Sequence, residues 1–362
     1  MNDFFHILNS LQDSAQRKVL STIINVEGSS YRKEGAMMMM MEDGTQTGLL
    51  SGGCFENDLA ANAADVLNTN SSRTIVYDMK SKNDLIWGTG SGCNGTISVL
   101  LEKVDAQLEK HLNRVQNYLN QRMPILHVKR LSNYGTVLDY IFLTQKEDCF
   151  GEWNGEILPQ LKNLFSEHKK ETGYIENMKD RYFFQVFNPK PRLIIFGATQ
   201  DVRPLVNLAA KNGFHTIIND WRPAFCSRTY FPDADEISLE FPSTFLRDFS
   251  FSPDDFVIIM THNFQKDQEI LQTAITKKIQ YLGVLGPRKR TLRLLEGQDI
   301  PDFLHSPVGL PIGAEGPEEI AISILADLIK TLRKRNHNDF RNIPSSRSEQ
   351  KNGVSKTFSS FG

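Results

Sequence analysis

From Arg192 onward the sequence alternates short, mainly apolar runs with helix-compatible stretches, and this alternation constrains the fold more than any other feature of the chain. RLIIFG at 192–197, HTIIND at 215–220, FVIIM at 256–260 and YLGVLG at 281–286 are followed by a helical PEEIAISILADLIKTLRKR at 317–335. A short strand that is apolar at successive positions has both faces covered, which is the situation of a parallel sheet with helices on either side. The pattern predicts a Rossmann-like, doubly wound parallel-sheet domain over residues 192–335.

The preceding residues read differently. A helix to about Arg17 leads into the β-rich VLSTIINVEG, then the methionine run Met37–Met41, a helix from about Glu56 to Leu67, and strands at TIVYDM and TISVLLEKV. A helix around LEKHLNRVQNYLNQR and strand-like pieces at ILHVKRL, TVLDYIFL and YFFQVFN complete an N-terminal α+β domain over 1–188, with Pro189–Pro191 as the linker. Five adjacent methionines raise the thought of a soft-metal site. Successive strand residues point to opposite faces, however, so the run does not converge on one ion and is expected to be a strand buried on both sides. Residues 336–362, rich in Asn, Ser and Lys, are expected to form a disordered tail.

At 362 residues the chain is long enough for two ordinary domains. Its net charge of −2 carries no basic excess, so nucleic acid is not an expected partner, whereas small molecules and proteins are. No stretch approaches the roughly 20 apolar residues that span a bilayer, so no membrane association is expected. Four cysteines, Cys54, Cys93, Cys149 and Cys226, form no C-x-x-C pair, as expected of a reduced, cytoplasmic protein.

Two of those cysteines stand among glycines, Cys54 in SGGCFE at 51–56 and Cys93 in GTGSGCNGT at 88–96. Gly52, Gly53, Gly92 and Gly95 leave backbone beside each thiol without side-chain cover, which lets a ligand reach both sulfur and peptide N–H groups. The same pattern also suits two small buried residues in tight turns.

In the second half, a strand ending at Gly197 and an acidic residue, Asp220, ending the next strand have the framework of a dinucleotide fingerprint. Thr199 and Val202 stand where its second and third glycines belong. A Cβ at the second position holds a pyrophosphate away from the helix N-terminus, so NAD(P) binding is weakly supported. Thr261 and His262 follow one strand end, and Gly286, Arg288, Lys289 and Arg290 another, where open α/β sheets place their ligands. The basic group suits either a phosphate or a solvated helix face.

In order along the chain stand GSSYRKEGA at 28–36, SGGCFE, GTGSGCNGT, NDWRPAF at 219–225, FPDADE at 231–236, MTHNF at 260–264, YLGVLGPRKR at 281–290 and SPVGLPIGAEGPEEIA at 306–321. With these motifs the chain resembles the XdhC/CoxI family, accessory proteins for xanthine dehydrogenase and related molybdenum hydroxylases. The resemblance implies a protein that binds the molybdenum cofactor (molybdopterin) and protects it while a cysteine desulfurase exchanges an oxo ligand for a sulfido group. It then inserts the cofactor into the apo-enzyme, acts as a homodimer and catalyses no purine oxidation itself. On that reading Cys54 and Cys93 face the metal, the four glycines expose N–H donors, Arg32 pairs with the cofactor phosphate, and Glu56 orients a thiol or a pterin amine. Gly197, Asp220, His262 and Arg288 are the second domain's candidate binding residues. Arg32 and Glu56 also suit a plain turn-stabilising pair. The segment GATQDV departs from the family's GAGHVA at Thr199 and Gln200, and Asn263, Phe264 and Pro311 are further departures. The other readings are an NAD(P)-dependent oxidoreductase and a non-catalytic docking protein.

Overall fold

The computed structural model describes residues 2–12, 16–53, 55–79, 95–146, 148–157, 159, 161, 171–177 and 180–338. Its first sheet joins β1 (Lys18–Gly28), β2 (Met37–Met41), β3 (Gln46–Gly48), β4 (Arg73–Asp78) and β5 (Gly95–Val104) in the order β3-β2-β1-β5-β4, with antiparallel pairing throughout. All five methionines of β2 are buried, and the strand alternation divides them as expected. Met37, Met39 and Met41 pack under α1 (Asn2–Gln12), whereas Met38 and Met40 pack under α2 (Glu56–Thr69), so the two helices cover opposite faces. Helix α1 stops earlier than its sequence suggests. The buried Lys18 ammonium donates to the Leu11 carbonyl at 3.2 Å and pairs with Glu109 at 3.1 Å, which ties off the helix end where β1 begins.

A second antiparallel sheet follows, in the order β8-β7-β6-β10-β9, from β6 (Ile125–Leu131), β7 (Val137–Thr144), β8 (Cys149–Glu152), β9 (Thr172–Asn177) and β10 (Asp180–Phe187). Between the sheets in sequence runs α3 (Ala106–Asn120), capped by Asp105, whose carboxylate accepts from the Gln107 and Leu108 N–H groups. Leu108, Leu112, Val115 and Leu119 of α3 share one core with α1 and with Phe142, Phe150 and Phe187 of the second sheet. The two sheets also meet through Ile24, Leu100, Leu131 and Phe183 and a buried Lys129–Glu102 ion pair. The runs that form β1, β2, β4 to β7 and β10 were legible in the sequence, but the short strands β3, β8 and β9 were not, and neither was the grouping into two sheets.

The parallel sheet expected after Arg192 is present. It runs β13-β12-β11-β14-β15-β16 through β11 (Arg192–Phe196), β12 (His215–Asn219), β13 (Glu236–Ser238), β14 (Phe256–Ile259), β15 (Tyr281–Val284) and β16 (Leu304–His305). Leu193, Ile195 and Ile218 face α4 (Arg203–Lys211) and α8 (Gly316–Asn338), while Ile194, Phe196 and Ile217 face α5 (Pro242–Asp248), α6 (Phe264–Ala274) and α7 (Arg288–Leu294). Such two-sided cover explains why the central residues of these strands, such as Leu193–Phe196, Ile217–Ile218 and Phe256–Ile259, are apolar at successive positions. Strand order reverses between β11 and β14, where doubly wound sheets open a crevice for ligands. Among the described residues no helix is long and apolar enough to cross a membrane. Helix α8 continues to Asn338, slightly past the expected start of the tail, and the rest of that tail, from Asp339 onward, lies outside the described residues.

Candidate functional site

Cys54, Cys93 and Gly92 lie outside the described residues, but the flanks of both cysteines are defined. Ser51 and Phe55 are buried, at 3% and 0% exposure, while Gly52 and Gly53 between them are exposed. Gly53 has φ +100°, a left-handed conformation that favours glycine, and no atom lies within 4 Å of the position its Cβ would take. Glu56 closes this turn from within. Its carboxylate accepts from the Ser51 N–H at 2.9 Å, from the Ser51 hydroxyl at 2.5 Å and from the Phe55 N–H at 3.3 Å. Gly53 N–H adds a longer bond to Ser51 Oγ at 3.3 Å.

The turn is fastened to one particular end of the first sheet. Phe55 stacks on Tyr77 of β4 with ring centroids 4.5 Å apart, and the Tyr77 hydroxyl donates to Asp58 of α2 at 2.7 Å. Burial, reinforced by the Asp58 carboxylate, pushes the Tyr77 phenol far above its ordinary pKa, so it remains a neutral donor. Tyr77 pairs with Ile97, Asp78 pairs with Thr96, and Met79 N–H donates to Gly95 O at 3.0 Å. Residues 80–94 therefore leave β4 and enter β5 at the same end of the sheet that holds the Ser51–Phe55 turn. Gly95 itself is required by packing, since a Cβ there would meet the Ser29 and Glu27 carbonyl oxygens at 2.5 and 2.6 Å.

Arg32 is not joined to Glu56. Its guanidinium pairs with Asp3 of α1, the helix on the face of the sheet opposite α2.

In the parallel-sheet domain, Gly197 has φ +124°, and a Cβ there would strike Met260 O at 2.4 Å; the glycine is demanded by the close approach of β14. Asp220 is fully buried and its carboxylate is already engaged. Oδ2 accepts from Ala198 N–H at 2.8 Å and Arg222 Nη2 at 2.6 Å, and Oδ1 from Arg222 N–H and Nε, both at 2.9 Å. Few lone pairs remain for a ribose diol.

His262 bridges the reversal crevice. It follows β14 with φ +60°, strained for a non-glycine residue, and its Nε2 lies 2.8 Å from Oδ2 of Asp201, which follows β11. The hydrogen bond to Asp201 raises the His262 pKa against the opposing effect of burial. For Asp201, burial pulls upward, but the hydrogen bond and positive charge of His262 help to outweigh it and leave the carboxyl below its ordinary range. Both shifts favour an ion pair, and a carboxylate beside the start of α4 repels a pyrophosphate at that position. Arg288 is exposed, whereas Arg290 turns inward to the buried Asp267 at 2.7 Å, which also accepts from the Thr261 N–H and hydroxyl. Sequence reasoning missed Asp201 and Asp267. The only signal for Asp267 was its place in the first turn of α6, and Asp201 had none beyond proximity to Gly197.

The other two cysteines differ from each other. Cys149 is exposed on β8, while Cys226 is buried and its thiol is pushed up to about 11 by that burial. Among the described residues no group of three or more His, Cys, Asp and Glu side chains could hold a metal ion.

Residues 193–328 match the XdhC Rossmann domain, residues 106–188 the BH1974-like central domain, and residues 11–78 the XdhC and CoxI family. A probable xanthine dehydrogenase subunit from Bacillus subtilis (strain 168) is 41% identical over 336 residues, covering 92% of this chain and 99% of that one. The molybdenum cofactor insertion chaperone PaoD of Escherichia coli (strain K12) is 27% identical over 325 residues, covering 87% of this chain and 83% of that one. A crystal structure described as a xanthine dehydrogenase from Bacillus halodurans superposes with a TM-score of 0.83 at 52% identity, covering 92% of this chain and 97% of the other.

Proposed function

We propose that this chain, which belongs to the XdhC and CoxI family, carries the molybdenum cofactor and inserts it into a molybdenum hydroxylase of the xanthine dehydrogenase type. The observation that carries this reading is the common sheet end from which the flanks of both glycine-set cysteines depart, held by the Phe55–Tyr77 stack. The similarity to PaoD over most of both chains supports the same role. On this reading Cys54 and Cys93 are soft ligands or hydrogen-bond partners for the metal end of the cargo, and Gly52 and Gly92 offer N–H groups to its oxygens, while the Gly53 N–H is taken by Ser51. Glu56 acts by fixing the turn. A cysteine desulfurase supplies the sulfido group while the cargo is held, and the working form is a cytoplasmic homodimer.

The relatives named xanthine dehydrogenase do not make this chain an oxidase. Four widely separated cysteines supply no iron–sulfur signature in a chain of 362 residues. A nicotinamide-dependent reading finds little support in the crevice, where Asp220 is engaged by Arg222 and the Asp201 carboxylate stands near the start of α4.

Reconstitution tests the proposal. The purified chain is loaded anaerobically with molybdenum cofactor and mixed with an apo-hydroxylase, and the activity gained by that hydroxylase is followed. Faster and fuller activation than with free cofactor is expected. Activation no better than with free cofactor, with no cofactor retained by the chain, would end the carrier reading.

A further inference from the structure

Hydrophobic packing is interrupted at residues 188–191. Among the described residues, every core cluster is made wholly of residues up to Phe187 or wholly of residues from Leu193 onward. Two units that share no apolar core are expected to move relative to one another. The segment that joins them is short, and its hydrogen bonds divide between the two. The Asn188 side-chain amide donates to Glu171 at 3.1 Å, and the Lys190 carbonyl accepts from Arg122, just after α3, so both are held by the N-terminal unit. The Pro191 carbonyl accepts from the His215 N–H of β12 at 2.9 Å, which fixes it to the parallel-sheet domain. The pivot is thereby confined to the Lys190–Pro191 junction. Proline fixes φ at 191 and restricts Lys190 to extended conformations, so the junction permits a swing in few directions and is no free tether.

Between the units lies a cavity of about 600 Å3. One wall runs over Asp3, the hairpin 31–37 and Glu171, and the other over residues 211–214 of the α4 end and Ile329, Leu332 and Arg333 of α8. The walls differ in charge. On the first, Arg32 is paired with Asp3, and Glu34 and Glu171 stand exposed beside a single further cation, Lys33. The second carries exposed Lys211 and Arg333 and, among its described residues, no acid. Walls of opposite sign attract across a water-filled gap, and salt screens that attraction. We propose that the parallel-sheet domain swings about the Lys190–Pro191 junction and closes this cavity, with Lys211 and Arg333 drawn toward Glu34 and Glu171. Hinge closure of this kind needs only a few residues at the end of an element to absorb the motion. It requires no cofactor and stands or falls independently of the carrier reading.

The experiment reads the distance between spin labels attached to ketone-bearing residues introduced at Tyr31 and Lys334, exposed positions on the two sides of the cavity, in the full chain with its cysteines in place. Labelled protein is diluted with unlabelled chain, so that only pairs within one molecule contribute. Labels at Thr229 and Lys278, both exposed and both in the parallel-sheet domain, form the control pair. The 31–334 distribution is expected to be broader than the control. Its mean should lengthen between about 0.1 M and about 1 M salt, as the screening length falls from about 10 Å to about 3 Å, while the control stays unchanged. Lys211→Glu combined with Arg333→Glu, two exposed substitutions, should give the longer distance already at the lower salt. An unchanged control pair in that double variant excludes unfolding of the domain as the source of the shift. A 31–334 distribution as narrow as the control and identical at both salts would overturn the hinge. A broad distribution that ignores both salt and charge reversal would overturn the attraction between the walls.

Discussion

Phe55 lies flat on Tyr77, with ring centroids 4.5 Å apart and planes 12° from parallel, and this stack fastens the turn around residue 54 to the strand from which residues 80–94 depart. Phe55 is fully buried, so Phe55→Ala removes a complete aromatic side chain from the α2 face of the first sheet. A loss of about 3–5 kcal/mol is expected from such a truncation. Urea unfolding should show it as a lower midpoint. At urea-free conditions where the variant remains folded, cofactor retention should fall as well, because the two cysteine segments lose their common anchor.

Glu56→Ala separates turn geometry from core packing. The substitution leaves the Ser51 and Phe55 N–H groups without the carboxylate that accepts from them, in a part-buried setting. A cost of about 1–3 kcal/mol follows from the orphaned donors. Cofactor retention should fall more in Glu56→Ala than in the exposed control Lys146→Glu, measured by anaerobic gel filtration. Equal retention would show that the turn does not need its internal clasp.

In the parallel-sheet domain, Asp220 serves the fold. Asp220→Asn leaves Arg222 facing a neutral amide whose NH2 replaces one of the two accepting oxygens, so thermal unfolding should show a loss of about 3 kcal/mol, the scale of a broken buried pair. Calorimetric titration of the unaltered protein with NADH and NADPH should show no submillimolar binding. Submillimolar affinity for either would revive an oxidoreductase reading.

Acid should loosen the region between the second sheet and α3. His127 is buried and stacked on Phe142 at 4.1 Å, its Nε2 has no partner, and burial, then the nearby Lys129 ammonium, holds its pKa well below the ordinary value. The unfolded chain takes up a proton near pH 6.5 while the folded one does not, so this histidine's contribution is intact above that pH. Below it, stability falls by up to ~1.4 kcal/mol per pH unit until the folded pKa is reached. His127→Phe should flatten the slope of unfolding free energy between pH 7 and pH 5. An unchanged slope would assign the acid sensitivity to other groups.

Local periodicity and packing explain what could be read ahead of the structure. The apolar runs after Arg192 announce a covered parallel sheet because a strand with helices on both faces has no polar side to show, and Met37–Met41 announces a doubly covered strand for the same reason. The pairing of β6 to β10 into a separate sheet was not legible, because it depends on which distant strands meet, and alternation within a strand does not record that. Side-chain partners were harder still. Asp201 meets His262 across 61 positions, Arg290 turns back to Asp267, and Arg32 selects Asp3 on the far face of the sheet; each choice is made by the folded topology. Gly95 and Gly197 read as ligand-binding glycines, yet close backbone contacts alone are enough to require them.

The most direct test is cofactor retention after anaerobic gel filtration, compared across the unaltered chain and the four single variants Cys54→Ala, Cys93→Ala, Cys149→Ala and Cys226→Ala. A carrier built on the two glycine-set cysteines retains cofactor as the unaltered chain, keeps it in the exposed Cys149 and buried Cys226 variants, and loses most of it in Cys54→Ala and Cys93→Ala. Equal retention by all four variants, or none by the unaltered chain, would contradict it.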